Sequence, residues 1–394
     1  MDLTAFHQLL TPAGQEILQA AEVLSPKESD FLIHFQSLGR RFPHDLARAA
    51  LEVAILRREA AAKFPFADKL YLSRQALEQA SSHEVSSHRA ERFRSYPYLA
   101  DLGCSIGADS FALAKIAPTL AVDIDLLRLS MASANLHSLG LSGNIQPVQS
   151  DITFPFPFKP GSAALFFDPA RRVSHQRVFS VSQYRPPLSI VKDWLPGNPA
   201  LGVKISPGVS LSELGGYDAE IEFISLHGEL KEAVLWFGPL KTAVRRATVL
   251  PGPFQLSADL PYQLPGSTSV ITEPKSILYE PDPAVIRAGM VTTLAEMLDA
   301  SQLDPDIAYL TSGSLSPTPF ARHWVIEDWF PFQLKQLRTY LQQRHIGKVT
   351  VKKRGSPIEP EFLIHQLRLK GDLERVVVLT QLRNEPIVMI CIRV

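Results

Sequence analysis

Residues 99–125 constrain this chain more than any other stretch. They read LADLGCSIGADSFALAKIAPTLAVDID. A short apolar approach ends on an acid, Asp101, and a turn containing Gly103 and Gly107 follows. Residues 110–116 read as helix, and a second apolar run, 119–122, closes on Asp123. The order is strand, glycine turn, helix, strand, with an acid ending the second strand. Glycines let a backbone approach a ligand closely. An acid at the end of the second strand can accept bonds from ribose hydroxyls. A nucleoside-type ligand fits this arrangement.

The spacing narrows the ligand. A dinucleotide fingerprint requires G-x-G-x-x-G at the first turn, but Ser105 occupies the second glycine position and Asp109 follows Gly107 by two residues. No G-x-x-x-x-G-K-[ST] loop is present. An acid ahead of the turn repels a pyrophosphate and tolerates a cationic amino acid. The stretch resembles motifs I and II of the Rossmann-fold S-adenosylmethionine-dependent methyltransferases. The resemblance implies cofactor contacts from Asp101, Gly103, Cys104, Gly107, Asp123 and Ile124. Asp123 is the expected ribose acid and Asp125 the expected cap of the next helix. A plain α/β turn without a cofactor is the alternative.

Two later strand ends extend the pattern. Residues 145–149 read as a strand ending at Ser150-Asp151. An acid there matches the methyltransferase residue that accepts from the adenine amino group, and Ile152 would pack on the ring. Residues 163–167 are a continuous apolar run, as a parallel strand covered on both faces requires. That run ends in Asp168-Pro169-Ala170-Arg171. This resembles motif IV of methyltransferases acting on exocyclic amines of bases, which reads Asp or Asn, Pro, Pro, aromatic. The resemblance implies that Asp168 and the Pro169 backbone accept hydrogens from the target amine. Ala170 replaces the second proline, and Arg171 stands where the stacking aromatic belongs. An arginine plane can stack on a base or grip a phosphate, and Tyr184 is a nearby aromatic. A strand-terminating turn followed by a surface pair, Arg171 and Arg172, is the plain alternative. Cys104 lies inside the turn and no cysteine follows Asp168 closely, which argues against cysteine-dependent chemistry on pyrimidine C5. Residues 200–205, 220–227 and 231–237 complete an expected seven-stranded sheet.

The first 95 residues read as helices. Thr11-Pro12 is a helix start, further helices are expected over 27–38 and 44–63, and Ser73 is placed to cap a helix over 74–80. His83-Glu84 fails as a metalloprotease motif because Ser87 stands at the second histidine position; the segment reads as a solvated helix, and no metal is expected. Tyr71, Glu78 and Gln79 precede the glycine turn and are candidates to cover the cofactor.

With 394 residues, two or three domains are expected. Lys plus Arg balance Asp plus Glu at 40 each, so any nucleic-acid surface must be local. Two distant cysteines suit a reducing, cytoplasmic setting. The N-terminal residues lack a basic region followed by a long apolar run, so no signal peptide is expected, and no apolar run is long enough for a membrane span. Residues 251–275 are rich in Pro, Gly, Ser and Thr and read as a linker. From Arg322 to Lys370, ten Lys or Arg face four Asp or Glu. Lys348, Lys352, Lys353 and Arg354 sit where a strand meets a turn, a patch that can track phosphates or be an ordinary solvated surface.

The whole chain resembles a bacterial family of class I methyltransferases with a C-terminal THUMP-like domain. The matching segments are LEQAS (77–81), DLGCSIGAD (101–109), VDID (122–125), DPARR (168–172), YEPDPAVIRAG (279–289) and VKKRG (351–355). The fold expected is α/β: a helical region over 1–95, a Rossmann-like methyltransferase domain over 96–250, a linker over 251–275, a ferredoxin-like segment over 276–321 and the THUMP-like domain over 322–394. THUMP domains in general bind RNA, often tRNA, so the family implies methyl transfer to RNA, including a base amine as acceptor. A small-molecule or protein methyltransferase, and an RNA-binding protein that no longer catalyses, remain as alternatives. The glycine spacing disfavours a nicotinamide oxidoreductase.

Overall fold

The computed structural model describes residues 1–170, 172–173, 176–177, 179–259 and 270–393, with the side chains of 172–173 and 176–177 excepted. The chain forms two compact units, Met1–Glu220 with Lys231–Thr242, and Ile221–Leu230 with Ala243–Val394.

The first unit opens with helices α1 (Leu3–Leu9), α2 (Pro12–Val23), α3 (Phe31–Gly39) and α4 (His44–Ala60). Thr11 caps α2 by accepting from the Gly14 amide, with Pro12 in the first turn. Helix α4 is apolar around much of its circumference and buries Ala50, Leu51, Val53, Ala54, Ile55 and Leu56, as a helix enclosed by neighbours must. Two short helices follow, α5 (Arg74–Gln79) and α6 (His83–Ala90). The glycine-turn region then supplies β1 (Leu99–Leu102), α7 (Ser110–Leu113), β2 (Thr119–Asp123), α8 (Leu126–Ser138), β3 (Ile145–Gln149) and β4 (Ala164–Phe167). A small ribbon, β5 (Arg172–Val173) with β6 (Gln176–Arg177), precedes α9 (Val191–Trp194) and β7 (Leu201–Ile205). Then come β8 (Ala219–Leu226), β9 (Glu229–Phe237), β10 (Arg245–Leu250) and β11 (Phe254–Ala258), of which most of β8 and all of β10 and β11 belong to the second unit.

The hydrogen-bonded order is β11-β10-β8-β9-β7-β4-β1-β2-β3. Strands β3, β2, β1, β4 and β7 are parallel, and β9 runs antiparallel to β7. Nine strands stand where seven were expected, because β10 adds in parallel to β8 and β11 returns beside it. Residues 254–258, read from sequence as part of a linker, are therefore β11; residues 260–269 of that stretch lie outside the described residues. The strand order reverses between β1 and β4, and open α/β sheets bind ligands at the carboxyl ends of strands at such a point.

The second unit adds β12 (Ile277–Pro281), α10 (Pro283–Arg287), α11 (Val291–Met297), β13 (Ser301–Asp304), β14 (Ile307–Ser312), β15 (Ala321–Pro331), α12 (Leu334–Gln343), β16 (Ile346–Lys353), α13 (Pro360–Leu367), β17 (Leu373–Leu382) and β18 (Glu385–Arg393). Its sheet order is β13-β14-β12-β15-β18-β17-β16. Alternation along β17 sends Val377 and Leu379 to a core with Leu337, Leu341, Leu363 and Leu367 of α12 and α13. Val376 and Val378 go to the opposite core with Leu278, Tyr309 and Trp324. Among the described residues, no helix is long and apolar enough to cross a membrane.

Candidate active site

The carboxyl ends of β1, β2 and β4 lie level, since Leu102 pairs with both Val122 and Phe167. The chain then turns sharply: the Gly103 and Cys104 amides both donate to the Val122 carbonyl, at 2.8 and 3.0 Å. Gly103 has φ +79°, and a Cβ there would lie 3.0 Å from the Asp168 carbonyl oxygen. Only glycine satisfies both demands at this position. The Asp123 carboxylate closes the turn, accepting from the Ser105 amide at 2.7 Å and the Asp125 amide at 2.9 Å. Asp125 caps α8, accepting from the Arg128 amide at 3.1 Å. Asp125 is thus the helix cap expected of it.

Asp101 is buried, with one carboxyl oxygen accepting from the Ser110 hydroxyl. Its other oxygen, Oδ1, is buried without a hydrogen-bond partner among the described residues. Burial, reinforced by the neighbouring Asp109 charge, pushes the Asp101 carboxyl up to about 8. Orphaned buried carboxyl oxygens are costly, and a cationic amino group is the partner that would relieve this one. Beyond β2, Ile124 is 63% exposed. Ile152 is half-buried beyond β3, and Asp151 beside it accepts from the hydroxyl and amide of Thr153, which hold its carboxyl below the ordinary value. Cys104 is buried with its thiol pushed well up by burial, so it is no nucleophile.

Asp168 follows β4, its amide donating to the Leu102 carbonyl at 3.2 Å. Its Oδ2 lies 2.7 Å from Nζ of Lys204, whose side chain is 2% exposed against 21% for Asp168. Lys204 Nζ also donates to the Gln79 carbonyl at 3.3 Å. Gln79, a sequence candidate for covering the cofactor, meets Lys204 through its backbone carbonyl. Pro169 is buried, and Ala170 pairs with Arg185 through both amides. Arg171 and the Arg172 side chain lie outside the described residues. Tyr184 does not offer a ring to an acceptor: it is buried, and its hydroxyl accepts from the Ser206 amide at 2.9 Å. Phe179 is the exposed aromatic here, packed over Gly208 just past the end of β7.

The segment before β1 is less solvated than its sequence reads. Helix α6 buries Val85, Ser86, Arg89 and Ala90. Arg89 pairs with Asp109, lies 2.8 Å from Glu232 on β9, and stacks 4.5 Å over the Phe166 ring. Burial alone would lower its guanidinium; Asp109 and Glu232 hold it above the ordinary value. Glu232 accepts in turn from the Ser81 hydroxyl at 2.9 Å. Lys63 donates to the Leu77 and Ala80 carbonyls at 2.7 and 2.9 Å, and burial with the nearby Lys204 charge lowers its amine to about 8. Tyr71 is a packing residue: its backbone is clamped by Asn135, which also donates to the Ile106 carbonyl of the glycine turn. Sequence reasoning missed Lys204 and Arg89. The signal for Lys204 was present: a lone lysine inside the apolar strand LGVKI.

In the second unit, Lys352 pairs with Glu280 at 2.6 Å and lies 4.7 Å from the Trp324 ring centroid. Arg354 lies 4.0 Å from Glu280 and stacks on Tyr309, while Lys353 pairs with Glu359. Lys348 is exposed on β16, the edge strand of its sheet. Among the described residues, no His, Cys, Asp and Glu cluster could hold a metal.

A parallel sheet that reverses beside a glycine turn, with an acid ending the adjacent strand, defines a Rossmann-like nucleoside-binding domain. The comparisons give the family. An uncharacterized S-adenosylmethionine-dependent methyltransferase of Mycobacterium tuberculosis, from strains CDC 1551 / Oshkosh and H37Rv, is 33% identical over 349 residues, covering 86% of this chain and 94% of the relative. The chain belongs to the S-adenosylmethionine-dependent methyltransferases, and S-adenosylmethionine is its cofactor. A family model described as THUMP domain-like matches residues 321–393, and a domain of unknown function (DUF8688) matches residues 2–60. The fold is shared with the crystal structure titled "putative methyltransferase" from Porphyromonas gingivalis W83. That structure has a TM-score of 0.77 at 21% identity, covering 96% of this chain and 97% of the other. The residues present fit this cofactor in kind: the orphaned Asp101 oxygen is an acceptor suited to an ammonium, and the exposed Ile124 is an apolar surface suited to an adenine ring.

Proposed function

We propose that this methyltransferase acts on RNA, tRNA included, in the cytoplasm. The observation that carries the reading is the THUMP-like match over 321–393 in the same chain as a methyltransferase sheet. The excess of six basic residues between Arg322 and Lys370 supports it.

In this reading Asp101 holds the cofactor's ammonium, and Gly103, Cys104 and Gly107 bring backbone against its amino-acid part. Asp123 takes the ribose hydroxyls, Asp151 the adenine amino group, and Ile124 and Ile152 flank the adenine. The cofactor supplies a methyl group on a sulfonium, already a good leaving group. The protein's own contribution is to align the acceptor and exclude water. Asp168 and the Pro169 backbone orient the acceptor, and Arg171 and Arg172 grip the adjoining nucleotide. Lys348, Lys352, Lys353 and Arg354 track phosphates. Of these four, Lys348 is the one whose charge is most open to a polyanion. Lys348→Ala is expected to weaken RNA binding and to reduce the salt slope by about 1, read by filter binding over a salt series.

The test is to incubate the full chain with methyl-tritiated S-adenosylmethionine and a fractionated cell extract. Label in the RNA fraction is expected. Label confined to protein or to small molecules would contradict the reading.

A further inference from the structure

The acceptor carboxylate is not alone. Asp168 Oδ2 is held at 2.7 Å by the buried ammonium of Lys204. An ammonium has three N–H donors; Lys204 gives one to Asp168 and one to the Gln79 carbonyl, and one remains. The bond to Lys204 uses Asp168 Oδ2 and does not involve Oδ1. The site therefore presents an acceptor beside a donor, with a fixed positive charge behind both.

We propose that the atom methylated is a hydroxyl oxygen and that Lys204 is a catalytic residue. Resting on the RNA reading above, the acceptor is the ribose 2′-hydroxyl. Complementarity favours this choice. A hydroxyl donates one hydrogen bond and accepts others, so it satisfies Asp168 Oδ1 and the remaining Lys204 N–H together. The nitrogen of an exocyclic base amine donates and does not accept, so as the reacting atom it leaves the lysine N–H unmatched, which a hydroxyl oxygen does not. Charge argues the same way. A hydroxyl becomes a strong nucleophile only as its proton leaves, and an ammonium nearby stabilises the oxyanion character that develops. A neutral amine gains positive charge as it is methylated, which the same ammonium opposes. The departure of Ala170 and Arg171 from the amine-methyltransferase motif is consistent with such a change of acceptor. The step balances: the O–H proton passes to Asp168 as the oxygen–methyl bond forms, and the bonding pair of the broken sulfur–methyl bond stays on sulfur as a neutral thioether.

The experiment uses the unaltered full chain, tritiated cofactor and total RNA, followed by alkaline hydrolysis. A 2′-O-methyl group blocks the neighbouring cleavage, so label is expected in alkali-resistant dinucleotides. Label in mononucleotides carrying a methylated base would overturn the hydroxyl assignment while leaving RNA as substrate. Label absent from RNA but present as methyl ethers in another fraction would overturn the RNA reading and keep the hydroxyl. Variants test the lysine. Lys204→Met is expected to lower kcat by about 100-fold, with KM and the calorimetric Kd for S-adenosylmethionine changed less than two-fold. Lys204→Arg, which keeps the charge, is expected to recover part of the rate. A joint loss of cofactor affinity and rate in Lys204→Met, with no recovery in Lys204→Arg, would make Lys204 merely structural.

Discussion

The two halves of the site are built differently. The cofactor half is local and made largely by backbone: two amides on the Val122 carbonyl, and one carboxylate closing on the amides of Ser105 and Asp125. The proposed acceptor half, with the ion cluster behind it, is assembled from distant parts of the chain. Lys204 lies 36 residues from Asp168 and 125 from Gln79, and Ser81 is 151 residues from Glu232. A local turn can be specified by a short run of residues. A buried ion cluster needs the whole sheet in place before its charges meet.

That contrast can be broken at several points. The largest effect is expected at Arg89, which joins Asp109 beside the glycine turn to Glu232 on β9. Removing one partner of a buried ion cluster leaves the others uncompensated, so Arg89→Met is expected to cost about 3–5 kcal/mol of stability in denaturant titrations. A cost below about 1 kcal/mol, the level of an exposed pair, would mean that the cluster does not hold the halves together. Next comes Asp168→Ala, expected to slow methyl transfer by roughly 1000-fold while leaving cofactor affinity within about two-fold. Asp123→Ala should do the reverse at the level of binding, weakening S-adenosylmethionine by about 100-fold, or about 3 kcal/mol, through lost charge-assisted bonds.

The last effect is read as a slope. The folded Asp101 carboxyl titrates near 8 against 3.8 for an ordinary aspartate. Between those values the folded protein holds a proton that the unfolded chain has released, so stability falls as pH rises from about 4 to about 8 and levels off above. The thermal midpoint of the cofactor-free protein is expected to decline over that window more steeply than that of Asp101→Asn. Parallel curves would mean that Asp101 ionises in the fold as it does in water.

The same contrast explains what could be read from sequence. Gly103, Gly107 and Asp123 announced themselves because backbone conformation and strand-end position are local properties, and Asp125 was legible as a cap for the same reason. Three readings failed where tertiary burial decided. Tyr71 read as a candidate cover for the cofactor and Tyr184 as a nearby aromatic ring, but each is packed into the interior, Tyr71 against Phe6 and Tyr184 with its hydroxyl on Ser206. Helix α6 looked solvated because it is polar, yet its arginine is the buried centre of an ion cluster. The extra strands β10 and β11 lay partly in a Pro- and Gly-rich stretch that reads as connection. Lys204 was visible as a charge in an apolar strand, but its partner Asp168 lies just past the end of the neighbouring strand β4, and a single strand does not reveal which neighbour it will have.

The most direct test of the division between the halves is a pair of calorimetric titrations with S-adenosylmethionine, on Asp123→Ala and on Lys204→Met. Affinity should collapse in the first and stay within about two-fold of the unaltered protein in the second. Equal losses in both would contradict the account, because the lysine would then belong to the cofactor's support and not to the acceptor's.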